Sequence, residues 1–174
     1  MVTGLQKQQE VRKKAKKDFS LIKERGVDMK LLTKEIEKKL LKNPYGSHDG
    51  EGYDAKVIVK FFNPCGAGTW LITEGEKLTN GDWELYGYCH IHEWEWGSVL
   101  LSSLEKYRDP RFGLGIERDR YAGKTIKDNL CDELTSSYKG YIIEVSRKGY
   151  SIYGRDESFA TWQEIKSFID KEEE

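Results

Sequence analysis

The stretch Lys56-Val-Ile-Val-Lys-Phe-Phe62, Asn63-Pro-Cys-Gly-Ala-Gly68, Thr69-Trp-Leu-Ile-Thr73 decides the fold. The first run is β-branched and aromatic and reads as a strand, the Asn-Pro and Gly residues as a turn, and the second run as its return. Asn80-Gly-Asp82 is a second turn signal. Trp83-Glu-Leu-Tyr-Gly-Tyr-Cys-His-Ile-His92 then predicts a third strand, and Ser98-Val-Leu-Leu-Ser102 a fourth. Connections this short join antiparallel strands, because parallel neighbours need a crossover of roughly a dozen residues or more. The expected class is α+β, with N-terminal helices, a central mainly antiparallel β-sheet and a C-terminal β-β-α appendage.

Upstream, Val11, Ala15, Phe19 and Ile22 form one stripe of an amphipathic helix over residues 5–25, with Lys13, Lys14, Lys16 and Lys17 on the opposite face. Gly26 stops it, and Asp28 is placed to cap a second helix with Leu32, Ile36 and Leu40 on its apolar side. Residues 45–52 are a polar, Gly-rich loop. Downstream, Ser102 and Glu105 have the spacing of a capping box. Residues 111–123 read as irregular and 124–134 as a short linking helix. Tyr138 to Ser146 is a strand, Arg147-Lys-Gly149 a turn, Tyr150 to Tyr153 a second strand, and Phe159 to Asp170 a helix. The chain thus divides into a basic helical region (1–44), a β-rich domain (45–130) and a small module (131–174). A unit that small is marginal alone and is expected to dock on the main sheet.

Apolar residues make up 37% of the chain and charged residues 34%, a globular mixture with a heavily charged surface. No apolar run approaches the roughly 20 residues of a membrane span. The N-terminus has no apolar signal core, so cytoplasm is the expected compartment and no membrane partner is expected. Cys65, Cys89 and Cys131 are odd in number and widely spaced, which favours reduced thiols over a disulfide framework. Charge is segregated. Residues 1–44 carry 13 Lys/Arg against 6 Asp/Glu, a net +7, and the remainder carries 16 against 24, a net −8. A basic arm on an acidic body suits a polyanionic partner.

Several side chains could carry chemistry. On a continuous strand His90 and His92 share a face and could hold one metal ion, although zinc needs further ligands; the same face carries Tyr86, Tyr88, Trp94 and Trp96, which fits a packed aromatic stripe better. Cys65 in its Gly-rich turn, or Cys89, would need a nearby base to act as a nucleophile. Residues 63–68 are not a phosphate loop, since a strand follows them and no Gly-Lys-Ser/Thr is present. Glu117-Arg118-Asp119 could serve acid/base work or tie a loop down by ion pairs. Glu93 and Glu95 lie beside Trp83, Trp94 and Trp96, and either face those rings or water. In the tail, Tyr141, Tyr150 and Tyr153 beside Lys139, Arg147, Lys148 and Arg155 would suit stacked single-stranded bases, or simply a core.

Val59-Lys-Phe-Phe-Asn-Pro-Cys-Gly-Ala-Gly-Thr-Trp70, Glu74, Asp82, Leu85-Tyr-Gly87, Glu95-Trp-Gly97, Leu101-Ser-Ser-Leu-Glu105 and Gly113-Leu-Gly-Ile-Glu-Arg-Asp119 occur in that order. This string resembles the family called domain of unknown function 2958 over about residues 30–130. Tyr86-Gly87 stands where the family commonly has Phe-Gly, and Cys89, His90 and His92 are not family marks. The resemblance implies a setting on plasmids, conjugative elements and phage-like islands, and brings no catalytic residues or cofactor with it. Of the motif residues, Asn63, Pro64, Gly66, Gly68, Gly87 and Gly97 read physically as turn and bulge positions, and Trp70, Glu95, Glu117 and Arg118 are the better candidates for a shared binding surface. The expected function is a non-enzymatic accessory protein, an anti-defence inhibitor of a host restriction or CRISPR nuclease or nucleoprotein complex. One alternative is a nucleic-acid-binding protein of plasmid DNA processing, acting through Lys13, Lys14, Lys16 and Lys17. The other is a metal- or thiol-dependent hydrolase using His90, His92 and Cys65 or Cys89.

Overall fold

Hydrogen bonds inside the 63–68 turn fold the chain back on itself. Asn63 Oδ1 accepts the Cys65 amide at 2.9 Å, and Asn63 Nδ2 donates to the Ala67 carbonyl at 3.1 Å. Such side-chain mimicry of a backbone turn is why Asn favours these positions. Strand β1 (Val59–Phe62) thereby returns antiparallel as β2 (Thr69–Lys77). The structure, a computed structural model, describes residues 30–130 and 134–173. The helix expected at 5–25, the Asp28 cap and Cys131 lie outside the described residues.

Strands β3 (Trp83–His90), β4 (Trp94–Leu100) and β5 (Glu117–Asp119) complete a five-stranded sheet in the order β4-β3-β2-β1-β5. Every pairing in it is antiparallel. One side packs on the chain before and along helix α1 (Lys34–Leu40) and on α2 (Leu101–Lys106), around Leu31, Leu32, Leu40, Phe61, Ile72, Leu85 and Leu104. The other side presents Leu71 and Tyr88 to the C-terminal module. That module is a four-stranded antiparallel sheet, β6 (Leu134–Tyr138), β7 (Tyr141–Ser146), β8 (Gly149–Ile152) and β9 (Ser158–Phe159), followed by α3 (Trp162–Glu172). Ile143, Val145, Ile165 and Ile169 share one core with Tyr53, Val57, Leu71 and Ile126. The Trp162 amide donates to Asp54 at 2.6 Å, so the start of α3 is bonded to the main body. Among the described residues, no helix is long and apolar enough to cross a membrane.

Local details depart from the sequence reading for identifiable reasons. The third strand ends at His90, because residues 91–93 form the turn into β4, and β4 begins four residues before Ser98. The segment read as irregular contains β5, which pairs with β1. Thr33 caps α1 by accepting the Ile36 amide. Ser102 lies inside α2, so no capping box forms there; Thr161 and Glu164 make one at α3 instead. The expected 124–134 helix is only a 3-10 turn, Lys127–Asn129, within the described residues. The strand expected from Tyr138 onward is the second arm of a hairpin. Lys139 and Gly140, with φ of 48° and 84°, form a two-residue turn between β6 and β7.

Candidate functional surface

Directly paired residues share a face of a sheet. The register therefore stacks Tyr88 against Trp96 and His90 against Trp94, with Tyr86 opposite Ser98. Trp94 lies over Tyr88 at 5.1 Å between ring centroids, and Trp96 lies over Tyr86 at 6.0 Å, both in stacked orientations. Tyr53 meets Tyr88 edge-on at 5.3 Å and Trp162 edge-on at 5.7 Å, which joins this ladder to the C-terminal module. Aromatic pairs in these geometries contribute about 0.5–1.5 kcal/mol each beyond the area they bury. The ladder is a packed surface, open chiefly at Trp96, which is 37% exposed.

A register shift in β2 between Ile72 and Glu74 turns Glu74 onto the same face as Tyr86. Its carboxylate is buried, and a buried carboxylate must be compensated by hydrogen bonds. The compensation comes from the 45–52 loop, whose Gly46 and His48 amides donate at 2.9 and 2.7 Å. The loop is braced further: the His48 ring contacts Glu51 through Nδ1 at 2.9 Å and Asn43 Oδ1 through Nε2 at 3.1 Å. Tyr45 packs edge-on to Tyr86, and its buried hydroxyl makes no well-formed hydrogen bond among the described residues, with Ser98 as a weak polar neighbour. Burial, reinforced by Glu84, pushes that phenol up to about 12.

The residues singled out from sequence fall into separate places. His90 is half-buried against Trp94, whereas His92 is exposed in the β3–β4 turn, so the two do not form a pair on one strand face. Among the described residues, no group of three or more His, Cys, Asp or Glu is arranged to hold a metal ion. Cys89 is buried, and burial with the Glu95 charge pushes its thiol up to about 12. Burial, then Asp109, also raises the Cys65 thiol. Both thiols are therefore shifted away from the thiolate form that attacks carbonyl groups.

Trp70 is 8% exposed and belongs to the core beneath the sheet. Arg118 reaches the Lys30 and Leu31 carbonyls at 3.5 and 3.4 Å and straps the start of the described chain to β5. Asp119 pairs with Lys60 at 3.1 Å, and Glu117 is half-buried opposite Phe62. Glu93 and Glu95 are exposed. In the tail, Tyr150 is core, Tyr141 lies beneath Arg155 at 5.3 Å, and Tyr153 alone of the three is well exposed. Lys13, Lys14, Lys16 and Lys17 lie outside the described residues. Sequence reasoning passed over Tyr45 and His48 as anchors and took Glu74 only as a motif residue. An acidic residue close behind the apolar run Trp70-Leu-Ile72 of the same strand was the available signal.

A family model described as a protein of unknown function, DUF2958, matches residues 31–128, more than half of the chain. Nothing matches among curated proteins or among solved structures.

Proposed function

We propose, from the premise that this chain belongs to the family named domain of unknown function 2958, that it acts by surface binding rather than by catalysis. Its role on this reading is that of an accessory protein of a mobile element, inhibiting a host restriction or CRISPR nuclease. The observation that carries the proposal is the charge segregation: residues 1–44 are net +7 on a remainder of net −8. A basic arm is attracted to nucleic acid, or to a nuclease groove that normally holds it, by phosphate-like charge alone. The raised Cys65 and Cys89 thiols and the separated His90 and His92 give the hydrolase reading less support than surface binding.

The test is affinity capture with the tagged full chain, with and without nuclease treatment of the lysate. A nuclease or its complex retained after treatment supports an anti-defence role. Retention that vanishes with the nucleic acid favours the DNA-processing reading. Changing Lys13, Lys14, Lys16 and Lys17 together to Glu should abolish binding in either case. If the four-Glu variant binds its partner like the parent, with no salt dependence, the proposal fails.

A further inference from the structure

We infer that the chain self-associates through β4, whose outer edge pairs antiparallel with β4 of a second copy about a two-fold axis at Gly97. This does not rest on the binding role proposed above. β4 ends the sheet order, and among the described residues no backbone hydrogen bond reaches its outer side. Proteins usually blunt such edges with Lys, Pro or a bulge. The strand Trp94-Glu-Trp-Gly-Ser-Val-Leu100 has no Lys, Arg or Pro, and it pairs with β3 without a register shift. Trp96 and Leu100 on it are 37% and 40% exposed.

Gly97 supplies an independent indication. A glycine inside a strand weakens it and often marks the close approach of another backbone. The facing Gly87 has an internal reason, since a Cβ there would collide with the Leu71 carbonyl. Gly97 has none: a Cβ would meet nothing within 4 Å, and it is not among the positive-φ residues. Gly97 is also the middle residue of the strand.

Pairing about Gly97 is self-complementary. It sets Trp96 opposite Ser98 of the second copy, Trp94 opposite Leu100, and Glu95 opposite Val99. Large meets small, apolar meets apolar, and no charge faces its like. The two Glu95 residues are offset by four positions, about 13 Å at the rise of an extended strand. That exceeds the Debye length of about 8 Å at physiological salt, so their repulsion is largely screened. The result is one continuous sheet with an isologous interface.

Sedimentation of the full chain across a concentration series tests this. A species of twice the 20.2 kDa mass should grow with concentration. Gly97→Lys and Gly97→Glu both fit the open space at that position, yet each sets two like charges together at the axis. Each alone should weaken self-association roughly tenfold or more. An equal mixture of the two should restore it, which only folded partners meeting at residue 97 can do. A parent chain that stays monomeric at every concentration overturns the inference and leaves the edge to a strand of another protein. Equal association by parent and both variants overturns it too, since the contact would then lie elsewhere. Slow exchange in the monomer of the outward-facing amides of 94–100, those not bonded to β3, would mean that another part of the same chain covers the edge, and would also sink it.

Discussion

The Glu74 carboxylate accepts the His48 backbone amide at 2.7 Å, across 26 residues of sequence. With the Gly46 amide at 2.9 Å, it anchors the 45–52 loop to the sheet. Hydrogen bonds to a charged group contribute about 1.5–3 kcal/mol each, and here the charged acceptor is the buried partner. Glu74→Ala should therefore destabilise the protein by about 2–3 kcal/mol, read as a lower denaturant midpoint at unchanged slope. A loss below about 0.5 kcal/mol would mean that water replaces the carboxylate at no penalty.

Tyr45 makes the opposite case. Its hydroxyl is buried with no well-formed hydrogen bond among the described residues and only Ser98 as a weak polar neighbour, while its ring packs on Tyr86. Tyr45→Phe keeps the ring and removes a poorly satisfied group, so stability should stay level or rise by up to about 1 kcal/mol. Equilibrium unfolding in urea measures this, and a destabilised variant would show that the hydroxyl is bonded in solution.

Thiol reactivity should follow the environments of the cysteines. In a Cys131→Ser background, an aromatic disulfide reagent at pH 8 should modify Cys65 first. The buried Cys89, pushed up to about 12, should react only as the protein unfolds. Rapid modification of Cys89 in the native protein would contradict its position in the core.

Asp119 should contribute to acid sensitivity. The Tyr121 amide and then the Lys60 ammonium hold its carboxyl below the usual carboxylate range. The unfolded chain takes up this proton more readily than the folded one. The stabilisation is thus complete above the ordinary value of about 3.9 and is lost as pH falls through the lower folded value. Asp119→Asn should flatten that part of the thermal stability profile between about pH 5 and 2. An unchanged profile would show that the Lys60 pair adds nothing.

Sequence alone determined the class and most of the strands. Period-two burial, β-branched runs and turn residues act within a few positions, so the β1–β2 and β2–β3 hairpins were legible from residues 56–92. The same local rules failed where distant partners decide. Glu117–Asp119 becomes a strand only because β1 offers it an edge, and Ser102 loses its cap role because β4 runs directly into α2. Lys139 adopts a positive φ, which its side chain alone would disfavour, as part of the tight β6–β7 turn. Tertiary structure also sorted the candidate residues. It buried Trp70, made Arg118 a strap, and separated His92 from His90 by ending a strand two residues early. It turned Glu74 onto the aromatic face through one bulge, where amides from a loop nearly thirty residues away could donate hydrogen bonds to its carboxylate. The physical reason is one of range: backbone preference is settled by neighbours in sequence, whereas burial and charge compensation are settled by neighbours in space.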